Sequence, residues 1–226
     1  MLEQTTSPSA PAPWQLRGQG YICLLKASSI HANFKSSIPE ELSNCKKSNA
    51  YSLMILVDYT ESPVGPYYEL LFIPGYFDLN GQQYLSITRI FVSSMDSVIN
   101  GQQNWGIPKE LAEFEVHYDK LGLDRVIVSK QGKVFADLTF RSWPLPMPFT
   151  TSFVPKTWRT FIQYDKTHIF NFRPEAYGWV RPARLIKACI NPDEFPAVKP
   201  EHIIATIKIT HFKMTFPKAN IEVKNQ

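Results

Sequence analysis

Proline punctuates this chain so densely that long helices are excluded over much of its length. Its 18 prolines include clusters at 144–155 (PLPMPFTTSFVP) and 192–200 (PDEFPAVKP), where a missing N–H and a fixed φ break the α-helical ladder. Between the clusters the apolar residues alternate. In KVFADLTFR, Val134, Ala136, Leu138 and Phe140 share one face, and Lys133, Asp137 and Arg141 the other. In EFEVHY, Phe114, Val116 and Tyr118 alternate with Glu113, Glu115 and His117. A period of two is that of half-buried strands. RVIVSKQGKVFADLTF predicts a hairpin turning at Gln131–Gly132. Near the C-terminus the apolar phase Ile203, Ala205, Ile207, Ile209 gives way to Phe212, Met214, Phe216. That one-residue slip predicts a β-bulge around Thr210–His211. Helix candidates are confined to PEEL at 39–42, a turn or two around 93–103, KELA after Pro108, and PEAY at 174–177.

The expected fold class is therefore mostly β (α+β), with a barrel or sandwich to close many short strands. A single domain is expected over 14–226, long enough for a sizeable core, behind a leader at 1–13. The leader contains TTSPSAPAP, a composition of the disordered type. Hydrophobic residues make up 44% and charged residues 19%, a globular balance. The net charge of +4 is dispersed, with no Lys/Arg run longer than KK at 46–47, so no nucleic-acid partner is expected. No run of 18 apolar residues occurs, so no transmembrane helix and no membrane partner are expected. MLEQTTSPSAPAPW lacks the basic and apolar regions of a signal peptide. Cys23, Cys45 and Cys189 have no paired spacing. These features together predict a cytoplasmic protein with neither metal nor cofactor.

No GxSxG, HExxH, GxxxxGK[ST] or GxGxxG occurs. The five histidines lie at least nine residues apart. Only His211, at the predicted bulge, has a route to being re-aimed. More informative is PYYELLFIPG at 66–75, where Glu69 shares a strand face with Tyr67, Leu71 and Ile73, and Tyr68, Leu70 and Phe72 fill the other. A carboxylate in such a run either reaches water at a strand edge, or is paired, protonated or catalytic. The second candidate is Lys109 in NGQQNWGIPKELAEF at 100–114. It is a solvated charge beside Glu110, or an amine under the apolar cover of Trp105 and Ile107. A nucleophilic lysine must be neutral, and burial favours that form whereas a nearby anion opposes it.

Taken in order, PYYELLFIPG, ITRIFVSS and NGQQNWGIPKELAEF resemble the core of the acetoacetate decarboxylase superfamily, over about residues 50–118. Looser similarity includes QLRGQGYICLL near the N-terminus. The resemblance implies a cone-shaped β-barrel with a few short helices, enclosing a pocket and assembled into a homo-oligomer. It implies that Lys109 matches the lysine forming a Schiff base with the substrate ketone, that Glu69 matches a pocket glutamate, and that Arg17 matches the pocket arginine. Acetoacetate decarboxylase is itself the standard case of a lysine activated by desolvation or a cationic neighbour. Here the second lysine of the family motif is Glu110, its arginine is Gln102, and a second pocket glutamate has no match, Ser52 or Leu53 standing there. Losing two or three pKa units of activation removes about 3–4 kcal/mol of bias toward the free amine, so an ordinary acetoacetate decarboxylase is not expected.

The function expected is a lyase of this superfamily, a decarboxylase or an aldolase/dehydratase, acting on a keto acid, ketone or aldehyde. Lys109 and Glu69 would be catalytic, and Arg17, Tyr67, Gln102, Trp105 and Glu110 would contact the substrate. The alternatives are a non-covalent isomerase or cyclase of an apolar metabolite, using Glu69 with Tyr67, Arg17 or His211, and a non-catalytic binding protein on an inherited fold.

Overall fold

The computed structural model describes residues 8–26, 38–43, 45–47 and 51–224. The chain runs through β1 (Trp14–Lys26), the single turn α1 (Glu40–Ser43), β2 (Lys46–Lys47), β3 (Tyr51–Glu61) and β4 (Tyr67–Ile73). Then come β5 (Tyr76–Leu79), β6 (Gln82–Leu85), β7 (Arg89–Val92), helix α2 (Met95–Trp105) and β8 (Lys109–Leu111). The middle of the chain forms β9 (Glu113–His117), β10 (Leu123–Lys130), β11 (Lys133–Ser142) and β12 (Met147–Thr150). It ends with β13 (Phe161–Tyr164), β14 (His168–Phe172), β15 (Glu175–Ile190), β16 (Ile203–Phe216) and β17 (Asn220–Val223). The chain is mostly β with few short helices, as the prolines require.

Eleven strands form one sheet in the order β8-β7-β4-β3-β1-β16-β15-β11-β10-β9, with β12 added alongside β15. Among the described residues no ladder joins the two ends, β8 and β9, yet only Ala112 separates them in the chain. Leu111 pairs with β7 and Glu113 with β10. Two trans peptides span at most ~7 Å, so the sheet ends are held together covalently and the sheet curls. Contacts across the curl confirm it. Phe91 of β7 meets Phe135 of β11 at 4.6 Å between ring centroids, and Tyr21 of β1 stacks on Phe140 at 4.1 Å. The interior of the curl is packed solid with Leu70, Phe72, Phe91, Val126, Leu138 and their neighbours.

A second core lies on the opposite face of the same strands. There Tyr67, Leu71 and Ile73 of β4 and Val57 and Tyr59 of β3 pack under α2 and a six-stranded sheet, β17-β14-β13-β6-β5-β2. This alternation places Glu69 on that second face, the side that its neighbours in sequence dictate.

Both local irregularities read from sequence are present. Gln131 and Gly132 turn the β10–β11 hairpin with φ of 53° and 73°, the two positive values of a type I′ turn. His211 has φ 51°, at the point where the pairing of β16 slips against both β1 and β15. Other expectations need correction. KELA and PEAY are strand rather than helix: Lys109–Leu111 pairs with β7, and Glu175–Tyr177 pairs with β16. A single turn of helix makes almost no internal ladder, so strand pairing wins. Val134 is exposed and Phe135 is buried in its place, because β11 carries an extra residue where Ser129 pairs with Val134 and Val128 with Ala136.

The leader at 1–13 divides. Residues 1–7 lie outside the described residues, whereas residues 8–12 are tied to α2 by side-chain amides one helical turn apart. Asn100 accepts from Ala10 N–H at 2.7 Å and donates to Pro8 C=O at 3.1 Å. Asn104 donates to Ala10 C=O at 2.9 Å. A proline-rich segment needs no core when a helix face supplies its backbone partners.

Candidate active site

Lys109 reaches the second core by way of a helix terminus. Helix α2 is capped at its start by Ser94, whose Oγ accepts from Ser97 N–H, and at its end by Gly106 in the left-handed conformation (φ 62°). Ile107 and Pro108 then return the chain alongside α2, and Lys109 pairs with Ile90. The lysine stem lies against the helix at Gly101, where a Cβ would come within 2.7 Å of Lys109 Cδ. One turn earlier on the same face, Ser97 Oγ accepts from Lys109 Nζ at 2.9 Å. A glycine and a serine four residues apart thus provide the room and the partner for one side chain.

Lys109 Nζ also lies 3.0 Å from Glu69 Oε2, and the two side chains are only 5% and 6% exposed. Tyr67, two residues before Glu69 on β4, sits beside the same amine, its hydroxyl 3.5 Å and its ring centroid 5.1 Å from Nζ. Directly across the ladder from Tyr67 stands Tyr59, whose hydroxyl donates to Glu69 Oε1 at 3.3 Å. Both carboxylate oxygens are therefore bonded, one to a cation and one to a phenol.

Burial alone would push the Lys109 ammonium down, but Glu69 and the Tyr67 hydroxyl outweigh it, and the net displacement is upward. The resting lysine is thus a cation paired to Glu69. Burial, with Glu69 adding to it, pushes the Tyr67 phenol up to about 12 even though Lys109 pulls the other way. Tyr59 moves well above its ordinary range for the same two reasons. Both phenols keep their protons at neutral pH.

These groups line a cavity of about 290 Å³ between the sheet and its cover. Its walls are apolar almost throughout: Trp14, Leu16, Leu71, Trp105, Phe212 and Phe216 are representative. The pocket that the resemblance placed inside a barrel is thus on the sheet's other face, because the inside of the curl is already filled.

Of the residues read from sequence, Lys109, Glu69, Tyr67 and Trp105 come together here. Trp105 contributes a wall and fastens its indole N–H to Pro217 C=O at 2.7 Å. Three others do not line the cavity. Arg17 is at the surface with Glu61, 3.2 Å away. Gln102 is exposed, and its amide donates to Lys109 C=O at 3.0 Å, bracing the backbone. Glu110 points to the opposite sheet face, as the alternation of β8 requires, where it bonds Arg89 and, at 2.8 Å, Lys130. The anion beside Lys109 in sequence is therefore neutralised elsewhere, and the anion that sets the lysine's protonation is Glu69. Ser97 and Tyr59 are additional members of the site. Their signals were the four-residue spacing of Ser97 to Gly101 and the ladder register that sets Tyr59 against Tyr67. His211 lines a surface groove with Arg17 and Glu61, away from this cavity.

No family model matches the sequence, and no curated protein matches it significantly. Solved structures do. An acetoacetate decarboxylase from Legionella pneumophila subsp. pneumophila str. Philadelphia 1 superposes with a TM-score of 0.66 at 11% identity, covering 97% of this chain and 93% of that one. An acetoacetate decarboxylase-like enzyme from Sphingomonas wittichii RW1 gives 0.66 at 10% identity over 100% and 99% of the two chains. The enduracididine biosynthesis enzyme MppR, complexed with the condensation product of pyruvate and imidazole 4-carboxaldehyde, gives 0.61 at 11% over 96% and 92%. The chain has the acetoacetate decarboxylase-like fold. Among the described residues no helix is long and apolar enough to cross a membrane.

Proposed function

We propose that this protein is a lyase-type enzyme that forms an imine between Lys109 and a carbonyl substrate. The observation that carries the proposal is the Lys109–Glu69 pair, 3.0 Å apart, itself buried and lining an apolar cavity. Glu69 strengthens the lysine's hold on its proton, but it is also an acceptor within hydrogen-bond reach, so transfer within the pair would supply the free amine without a cationic neighbour.

The first step moves that proton from Nζ to Glu69 Oε2. The freed lone pair attacks the carbonyl carbon, and the C=O π pair moves onto oxygen. That oxygen takes one proton from Glu69 and a second one from the nitrogen, and leaves as water. Ammonium plus ketone has become iminium plus water, and Glu69 is again an anion. The charge pattern of the cavity is unchanged, so an apolar site opposes the conversion little. The iminium then withdraws electrons from the adjacent carbon, and Glu69 would take a proton there. Tyr67, protonated and beside Nζ, would give the departing oxygen a hydrogen bond while keeping its own proton.

A second reading rests on the raised pKa of Lys109. As a stable cation it would hydrogen-bond a substrate carbonyl while Glu69 enolises it, with no covalent step. Oxygen exchange separates the two. In ¹⁸O-labelled water, with a panel of aliphatic ketones and aldehydes, the wild-type protein is expected to catalyse exchange of the carbonyl oxygen and Lys109→Met to lose it. In D₂¹⁸O, deuterium incorporation beside the carbonyl without oxygen exchange would favour the non-covalent reading instead.

A further inference from the structure

We infer that the cavity selects an uncharged, largely apolar carbonyl compound over a keto acid. This rests on the proposed chemistry only for the word carbonyl. The preference for a neutral ligand is carried independently by the charges of the cavity wall.

Among the described residues lining the cavity, the cations are Lys109 and Arg159. Lys109 Nζ already directs its donors at Glu69, Ser97 and Tyr67. Arg159 is similarly engaged. It ends the 3₁₀ turn Lys156–Arg159 and gives Nε to Val154 C=O at 3.3 Å. Its Nη1 goes to Pro174 C=O at 3.4 Å and to Glu175 Oε1 at 3.1 Å. Its side chain is 11% exposed, whereas that of Glu175 is 64% exposed, so the partly buried cation is neutralised from the solvent side. The arginine that the sequence offered for a substrate carboxylate, Arg17, lies at the surface with Glu61.

A carboxylate entering this space would give up hydration and meet no cation that lacks an anionic partner, since Lys109 is paired to Glu69 and Arg159 to Glu175. It would add a second negative charge beside one of these pairs, and a buried charge without a partner of its own is strongly disfavoured. A neutral carbonyl has no such demand. Its oxygen needs a single donor, and the Tyr67 hydroxyl, which accepts from Nζ, has its own O–H to give. The remaining walls, including Trp14, Leu16, Phe212 and Phe216, accept only an apolar body. The substrate class is accordingly a ketone or aldehyde with an alkyl or aryl chain.

Binding of four ten-carbon probes to the wild-type protein at pH 7.5, followed through the cavity tryptophans and by calorimetry, tests this. Decan-2-one and methyl nonanoate are expected to bind at least about tenfold more tightly than decanoic acid and 3-oxodecanoic acid. Methyl nonanoate forms no stable imine, so its binding reports the cavity and not the chemistry. Acids that bind as tightly as the neutral probes would overturn the inference, above all if Arg159→Met removed their binding. Absence of binding by both neutral probes would overturn it too. Neutral probes that bind tightly without any adduct on Lys109 would sustain the inference while removing the imine proposal. Adducts formed with keto acids alone would do the reverse.

Discussion

Replacing Lys109 by methionine is expected to destabilise the protein by about 3–5 kcal/mol, measured by urea unfolding at pH 7. The cost does not come from lost packing, since methionine fills much of the same volume. It comes from stranding Glu69, which is 6% exposed on its side chain and would keep only the Tyr59 hydroxyl as a partner. Breaking a buried pair on one side has that order of cost, whereas replacing both members with apolar groups of similar size is neutral or stabilising. The double variant Lys109→Met/Glu69→Leu is therefore expected to recover most or all of the loss. The deficit of the single variant should shrink as pH falls, because an unpaired, buried carboxylate is relieved by protonation. For the wild type the sign is opposite. The folded pKa of Lys109 lies above its unfolded value, so its contribution is complete below about pH 10.4 and is lost as pH rises through the folded value. A single variant as stable as the wild type would mean that the two charges do not share a buried site.

Glu69→Gln is expected to separate the two jobs assigned to this carboxylate. Without the anion, the largest remaining influence on Lys109 is burial, which favours the neutral amine. The pH at which Lys109 becomes reactive toward a small amine-directed reagent should move down relative to wild type. Turnover of a carbonyl substrate should nevertheless fall by about 10²–10⁴-fold, the usual contribution of a positioned general acid–base. Unfolding would also expose the lysine and stop turnover, so the combination is read together with the urea midpoint of the variant, which is expected to show a folded protein at the pH of the assay. An unchanged pH dependence would remove Glu69 as the group controlling the amine.

The same distinction between local and long-range information explains what could be read from the sequence. The face of Glu69 was legible because a strand has a period of two and its neighbours Tyr67, Leu71 and Ile73 are apolar. The hairpin at Gln131–Gly132 and the bulge at His211 were legible because a turn pair and a phase slip are local signals. KELA was not, because four helix-forming residues after a proline say nothing about a parallel strand seventeen residues away at Arg89–Val92. Glu110 misled for the same reason. Adjacency along the chain suggested that it would hold the lysine's proton, but alternation on β8 turns it toward Arg89 and Lys130. Nor could sequence separation show that Pro8 and Ala10 find their partners on Asn100 and Asn104, or that the interior of the curled sheet is filled and the cavity lies on its outside.

The most direct measurement of the central claim is reductive trapping. The wild-type protein is incubated with an aliphatic aldehyde or ketone at neutral pH, reduced with borohydride, digested and analysed by mass. A single secondary-amine adduct on the peptide containing Lys109 is expected, competed by methyl nonanoate and absent from Lys109→Met. Adducts spread over surface lysines, with equal yield in Lys109→Met and none at position 109, would contradict the account.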